Sequence, residues 1–98
     1  MNITKTLEGT VLTLALEGRL DTTTSPRLEA LLATELDGVT SLVFDFAKLD
    51  YLSSAGLRVL LSAQKRMNRQ GTMILRNVNA TVKEVFDITG FTNFLTIE

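Results

Sequence analysis

The chain contains no cysteine, no histidine and no tryptophan, and it has a single proline. Without cysteine there can be no disulfide framework, no thiolate nucleophile and no zinc–thiolate site. Without histidine there can be no Ser-His-Asp triad, and the side chain that most often moves protons near neutral pH is missing. These absences argue against most hydrolase mechanisms and favour a binding or switching module.

A surplus of charge of either sign is also lacking. The 98 residues include 10 Lys and Arg against 11 Asp and Glu, which gives a formal net charge of -1 at pH 7. A nucleic-acid-binding domain needs a basic surplus, so we expect no nucleic-acid partner. The length fits one domain over residues 1–98, and an apolar content of 45% is enough to build a hydrophobic core.

No segment has the features of a secretory signal or a membrane anchor. The polar N-terminus lacks the apolar core of a signal peptide. The apolar runs at residues 11–16 and 57–61 are too short to span a bilayer. We therefore expect a cytoplasmic protein that does not insert into membranes.

Short apolar segments alternate with amphipathic ones along the chain. The first two predict a β-hairpin that turns at Glu8-Gly9, and the second strand is almost wholly apolar, which indicates burial on both faces. The predicted order β-β-α-β-α-β-α-β indicates one α/β domain, with helices packed on a mixed, mostly parallel sheet of four to five strands. Strands are predicted at residues 3–7, 11–16, 41–46, 72–75 and 94–97.

Three amphipathic segments begin at residues that favour helix starts and finish at glycine. Serine or asparagine at the start can cap exposed N–H groups, and proline suits the first turn. The basic cluster Lys65, Arg66 and Arg69 is explained by the stabilisation of cations at a helix end, although it could also attract an acidic partner. The boundaries of the predicted helices are Ser25-Pro26 and Asp37-Gly38, Ser53 and Gly71, and Asn79 and Gly90.

Two serines stand where the second helix begins. Ser53 and Ser54 place hydroxyl groups beside unpaired backbone N–H groups and the positive end of the helix dipole, so a phosphate on either serine would be stabilised. Gly56 in the first turn leaves room for the close approach of another protein. The alternative is purely structural, with Ser53 as an N-cap and Ser54 as an ordinary first-turn residue.

Aspartates near the strand ends give a weaker indication. Asp45 interrupts a predicted strand, and it could organise the serine loop or join Asp21 or Asp50 at an ion. An oxygen-ligand site needs a convergence of side chains that spacing cannot show, so we predict no metal. No glycine-rich nucleotide-binding motif is present, and we predict no cofactor.

Three segments, taken together, resemble the STAS family of anti-sigma factor antagonists. In that family a Gly-Glu-Leu-Asp-like stretch ends the second strand, an Asp-Ser-Ser-Gly-Leu or Asp-Ser-Thr-Gly-Leu stretch opens the second helix, and a Phe-Asp-x-x-Gly stretch ends the third. Here the corresponding segments are Gly-Arg-Leu-Asp at residues 18–21, Ser-Ser-Ala-Gly-Leu at residues 53–57 and Phe-Asp-Ile-Thr-Gly at residues 86–90. They occur in the right order across nearly the whole chain.

The resemblance implies a phosphorylation site and a partner-binding surface. Aligned on the glycine of the helix motif, the family's phosphorylated serine falls on Ser54, with Ser53 as the alternative acceptor. Ser53 replaces the usual aspartate, and Ala55 replaces the usual serine or threonine. Asp21 matches an aspartate that contacts the kinase in the family, whereas a turn-forming role is the other interpretation. The implied partner-binding residues are Asp21, Thr22, Thr23, Ser53, Ser54, Ala55, Gly56 and Arg58.

By the same resemblance, the unphosphorylated chain binds an anti-sigma factor that is also a serine kinase, and so frees a sigma factor. Phosphorylation of Ser54 by that kinase would end the binding, and a serine phosphatase would reset the chain. An alternative is a non-switching adaptor of the same family, docked on a partner such as a lipid-transport ATPase. A small enzyme using Asp21, Asp45 or Ser54 is not favoured, because carboxylate and lysine are the only bases available.

Overall fold

Residues 1–98 are all described by the computed structural model, in which strands and helices follow one another in the order β-β-α-β-α-β-α. The predicted order is confirmed through the third helix. The strands are β1 (Asn2–Glu8), β2 (Val11–Leu20), β3 (Ser41–Leu52) and β4 (Thr72–Arg76), and the helices are α1 (Ser25–Glu35), α2 (Ser54–Met67) and α3 (Ala80–Thr89).

The four strands form one mixed sheet in the order β1-β2-β3-β4. β1 and β2 pair antiparallel through a tight turn at Gly9, whose φ of +61 lies in the left-handed region that glycine tolerates. β3 pairs parallel with both β2 and β4, and α1 and α2 provide the crossovers that parallel neighbours require. The predicted parallel sheet with an antiparallel hairpin is confirmed.

All three helices pack on the same face of the sheet. Leu12, Leu14 and Leu16 of β2 are fully buried, and they share one core of 23 residues with apolar side chains of the helices. Thr13 and Ala15 point to the opposite face and are only half-buried. The prediction that β2 is buried on both faces is therefore wrong, because no helix covers the outer face.

Two strands extend further than their apolar residues predict. β3 continues past residue 46 to Leu52, β2 continues to Leu20, and the two extensions pair with each other. Register shifts in this pairing mark β-bulges, which interrupt the alternation of side chains by which a strand is recognised. The prediction that residues 47–52 form a connecting loop is therefore wrong.

The start of α1 differs from the predicted serine cap. Ser25 is the first helical residue rather than the cap, and it is buried. Its hydroxyl donates a hydrogen bond to the backbone carbonyl of Asp21. Thr24 occupies the cap position without a side-chain cap bond. Its hydroxyl group instead accepts a hydrogen bond from the backbone N–H of Asp21.

The end of α2 also differs, whereas α3 is delimited as predicted by Asn79 and Gly90. α2 stops at Met67, before Gly71. A Cβ added at Gly71 would lie 1.8 Å from the carbonyl oxygen of Thr40, so close packing of two loops, not helix termination, requires glycine there. None of the three helices is long and apolar enough to cross a membrane.

The C-terminal segment does not form the predicted strand at residues 94–97. Phe91–Asn93 form a 3₁₀ turn, and Ile97 pairs with Leu75 of β4 in a single parallel bridge. Leu95 is only 6% exposed and anchors the segment in the core, whereas Phe94 before it is 63% exposed. The apolar residues that predicted a strand therefore reflect one buried anchor beside an exposed aromatic ring.

Candidate functional site at the carboxyl ends of β2 and β3

The carboxyl ends of β2 and β3 lie side by side. The backbone N–H of Ser53, directly after β3, donates to the carbonyl of Leu20, the last residue of β2, at 2.9 Å. Asp21 and Ser54 directly follow these two residues. Parallel neighbours end at the same edge of a sheet, so the fold brings the predicted loop aspartate and the predicted acceptor serine together.

Gly56 allows the start of α2 to lie against the end of β2. A Cβ added at this buried glycine would be 2.7 Å from Leu52 Cδ1, 2.8 Å from Leu20 Cγ and 3.0 Å from Leu20 O. A side chain would therefore push the helix start away from the strand end. The room that Gly56 leaves is filled from within the domain, rather than offered to another protein as the sequence suggested.

The two serines of the site differ in what their hydroxyl groups do. Ser53 is the N-cap of α2, and its Oγ accepts a hydrogen bond from the backbone N–H of Gly56 at 3.4 Å. Ser54 is the first helical residue, is exposed, and makes no side-chain hydrogen bond within the chain. Ala55 between Ser54 and Gly56 is half-buried. The structure thus leaves the Ser54 hydroxyl free at the positive end of a helix dipole.

Asp21 holds the loop before α1 in shape. Its Oδ1 accepts hydrogen bonds from the backbone N–H groups of Thr23 at 3.0 Å and Thr24 at 3.1 Å, and its own N–H donates to Thr24 Oγ1 at 2.9 Å. The Thr24 backbone bond is the main cause of the lowering of the Asp21 pKa from its ordinary value of 3.8. The turn-forming role of Asp21 is confirmed, and its contact with a partner stays a prediction, as do those of Thr22 and Thr23, which are both exposed.

A cation–π pair joins the strand ends beside this loop. Arg19 of β2 and Tyr51 of β3 are partners in the parallel register, and the guanidinium carbon of Arg19 lies 4.1 Å from the centre of the Tyr51 ring. Arg19 Nε is also 3.5 Å from Asp21 Oδ2. Sequence reasoning did not single out this pair, because it depends on the strand extensions. The sequence feature that could have indicated the pair is the single tyrosine of the chain, Tyr51, just before the two serines.

Arg58 follows Ser54 by one helical turn on the same face of α2. Both side chains are exposed, and Arg58 takes part in none of the ion pairs of the structure. Its positive charge is therefore available close to the predicted phosphate position. The two side chains line a cleft of about 300 Å³ together with Leu57, Leu61, Thr89 and Phe91.

Two further candidates, Asp45 and Arg66, are engaged in contacts away from the serines. Asp45 Oδ1 accepts hydrogen bonds from Asn77 Nδ2 at 2.9 Å and from the Ala47 N–H at 3.0 Å, and the Asn77 bond is the main cause of a lowered Asp45 pKa. Asp45 thus holds the bulged part of β3 and not the serine loop. No group of three or more acidic side chains is placed to hold a metal ion. Arg66 pairs with Asp37 at 2.7 Å.

Comparisons with protein families and with curated proteins give consistent matches. The model of the STAS domain family matches residues 2–98 of the chain. BtrV of Bordetella bronchiseptica, a protein assigned as an anti-sigma factor antagonist, is 42% identical over 78 residues, which are 78% of this chain and 67% of BtrV.

Solved structures of anti-sigma factor antagonists share the fold. The unphosphorylated form of SpoIIAA matches with a TM-score of 0.86 at 22% identity, covering 99% of this chain and 88% of SpoIIAA. The phosphorylated form of SpoIIAA from Bacillus matches with a TM-score of 0.78 at 21% identity, covering 99% and 91% of the two chains. An antagonist from Mycobacterium paratuberculosis matches with a TM-score of 0.87 at 20% identity, over 98% and 83%.

Proposed function

The chain belongs to the STAS domain family, and we propose that it is an anti-sigma factor antagonist switched by phosphorylation of Ser54. In this proposal the unphosphorylated chain binds, in the cytoplasm, an anti-sigma factor that is also a serine kinase, and so frees a sigma factor. A serine phosphatase returns the phosphorylated chain to its binding form. The chain is then a substrate and a ligand rather than a catalyst.

The choice of acceptor is supported by the contrast between the two hydroxyl groups. Ser54 Oγ is exposed and free of hydrogen bonds, whereas Ser53 Oγ caps the helix. In the transfer, Ser54 Oγ attacks the γ-phosphorus of ATP held by the kinase, the bond from that phosphorus to the β–γ bridging oxygen breaks, and ADP leaves. The hydroxyl proton passes to a base of the kinase, because Ser54 Oγ has no hydrogen-bond partner within the chain that could receive it.

A phosphate on Ser54 would change the charge of the partner surface. It adds about two negative charges at pH 7, in a position where the dipole of α2 stabilises them. Arg58, one helical turn away, can pair with the phosphate and is then less available to a partner. Repulsion of acidic partner groups and loss of this cation both act to release the partner.

Incubation with purified anti-sigma factor kinases and ATP, followed by intact mass measurement, tests the proposal. We expect the wild-type chain to gain one phosphate and Ser54→Ala to gain none. Ser53→Ala is the matched control, because it removes the neighbouring hydroxyl and leaves the acceptor, and it should still gain one. A Ser54→Ala variant that is phosphorylated as fully as the wild type would overturn the choice of acceptor.

The residues beside Ser54 favour a second candidate function. Ser53 and Ala55 stand where the family usually has aspartate and serine or threonine, so a standard partner kinase meets a changed recognition surface. A non-switching adaptor that docks on a partner such as a lipid-transport ATPase fits this change. The affinity of Ser54→Asp separates the two functions, since an adaptor keeps its affinity and a switch loses it.

A further inference from the structure

An apolar cleft runs along α2 away from Ser54. Its far part has a volume of about 360 Å³ and lies between α2 and the segment that follows α3. It shares Leu61 and Phe91 with the cleft beside Ser54, so the two clefts adjoin, and together they are here called the α2 cleft. The far part is lined by Leu61, Gln64, Lys65, Asn68, Phe91 and Phe94.

The α2 cleft exposes apolar surface. Phe94 is 63% exposed, and its ring meets that of Phe91 edge to face, with centroids 6.4 Å apart and planes at 81°. Apolar surface of this kind, rimmed by polar side chains, is typical of protein interaction sites.

The charge of the α2 cleft has one sign. Arg58 lines the near part and Lys65 the far part, and no carboxylate lines either. Neither side chain takes part in an ion pair. On a chain whose net charge is close to zero, this local excess of positive charge favours an acidic occupant.

A buried polar atom in the far part lacks a partner. Gln64 is 8% exposed, and its Nε2 donates to Asn68 Oδ1 at 2.8 Å. Its Oε1 is buried and has no hydrogen-bond partner. Buried polar groups in proteins nearly always have a partner, and an exception calls for an explanation. This oxygen is closed to solvent and is not reached from the cleft, so an occupant would contact the apolar and charged side chains instead.

We propose that the α2 cleft binds an acidic, amphipathic segment of the anti-sigma factor, an inference that rests on the proposed function. Apolar side chains of the segment pack on Phe91 and Phe94, and its carboxylates pair with Arg58 and Lys65. A kinase that reaches Ser54 already lies at one end of this cleft. Phosphorylated Ser54 competes with the segment for Arg58, which links the modification to release.

Affinity measurements with purified anti-sigma factor kinases of the source organism test this inference. A non-hydrolysable ATP analogue keeps Ser54 unphosphorylated during calorimetric titration. We expect Phe94→Ala to weaken binding about tenfold or more, as truncation of a central aromatic contact does. Lys65→Glu should weaken it by a similar factor that shrinks as salt is added.

Two matched controls lie outside the cleft. Leu7→Ala truncates another exposed apolar side chain, which is 58% exposed on β1, and Lys48→Glu reverses an exposed charge on β3. Both should leave the affinity unchanged. Thermal melting checks that each variant is folded. If Phe94→Ala does not fold, the affinity of Lys65→Glu, a substitution at an exposed position, tests the inference instead.

The outcomes separate this inference from the function on which it rests. If the wild-type chain binds a kinase and the cleft variants bind equally well, the cleft is not the docking surface and the antagonist proposal stands. If the wild-type chain binds none of the anti-sigma factors, both are overturned. Selective weakening by the cleft variants supports both.

Discussion

Ser53 and Ser54 are the same residue type at adjacent positions, yet their hydroxyl groups meet different conditions. Ser53 has an extended backbone, with φ of -96 and ψ of 174, which aims its Oγ at the first free N–H groups of α2. Ser54 is already helical, and its side chain points outward into solvent. The Ser53 hydroxyl group therefore stabilises the helix start, whereas the hydroxyl group of the next residue, Ser54, is free to react.

Asp21→Asn tests the loop that faces the serines. The carboxylate accepts two backbone hydrogen bonds and lies near Arg19, and an amide is a weaker acceptor without charge. Because the pKa of Asp21 is lowered on folding, its stabilising contribution is present above the ordinary value and is lost as the pH falls through the folded value. We expect Asp21→Asn to lower the free energy of unfolding at pH 7, with a smaller loss in acid.

Chemical denaturation at neutral pH and below the ordinary aspartate pKa of 3.8 measures this difference. Asp50→Asn is the matched control, because Asp50 is an exposed aspartate that makes no side-chain hydrogen bond within the chain. It should change stability little at either pH. A loss for Asp21→Asn that stays constant or grows in acid would contradict a stabilising role for the carboxylate.

Single residues of the site were predictable only where a local pattern marks them. Asp21 and Ser54 belong to short motifs, and the helix start follows from the serines themselves. The contact of Arg19 with Tyr51 and the unpartnered Gln64 depend on strand register and on side-chain packing. A sequence pattern carries no direct signal for either, so both had to come from the structure.

At the scale of helices, the strength of a cap depends on its geometry. Asn79 Oδ1 accepts from the Val82 N–H at 2.8 Å, and its Nδ2 donates to the Leu49 carbonyl at 2.8 Å. The Ser53 cap bond to Gly56 is longer, at 3.4 Å. We expect Asn79→Ala to lower the free energy of unfolding by about 1–2 kcal/mol and Ser53→Ala by less than about 1 kcal/mol.

Urea denaturation of the two variants beside the wild type checks this order. Each variant removes one cap side chain and leaves alanine, and Asn79→Ala also removes the bond to the Leu49 carbonyl. Equal losses in the free energy of unfolding, or a larger loss for Ser53→Ala, would show that the length of the capping hydrogen bond does not determine how much each cap stabilises the fold.

Whole elements were predicted well where periodicity is regular and poorly where it breaks. The hydrophobic stripe of α2 located that helix, although not its end, and the glycine at the end of α3 marked where that helix stops. The extensions of β2 and β3 were missed because bulges and charged residues such as Lys48 and Asp50 disrupt the alternation. Residues 94–97 were read as a strand because apolar content alone cannot show that one side chain, Leu95, is an anchor.

The whole molecule is a sheet with one covered face and a nearly balanced charge. A phosphate at the start of α2 is therefore a large local change on a surface of small net charge, and it need not disturb the fold. Phosphorylation at a helix N-terminus should instead stabilise the folded chain slightly, because the dipole of α2 favours negative charge there.

We expect phosphorylation of Ser54 to raise the free energy of unfolding by about 0.3–1 kcal/mol at low salt, with the gain fading as salt is added. Thermal melts of the chain before and after kinase treatment measure it. Ser54→Ala treated in the same way is the control and should not change. A fall in Tm on phosphorylation would indicate that the switch acts by loosening the fold rather than by altering its surface.

The hydrogen bond from the Ser53 N–H to the Leu20 carbonyl, together with the packing of Gly56, bears on the kinetics of recognition. Strand ends, rather than free loops, fix where Asp21 and Ser54 lie, so a partner meets a surface that is already in shape. Association is then limited by diffusion and orientation, and the small net charge offers little long-range steering. If several partners compete for this surface, we expect them to differ in how long each complex lasts, and much less in how quickly it forms.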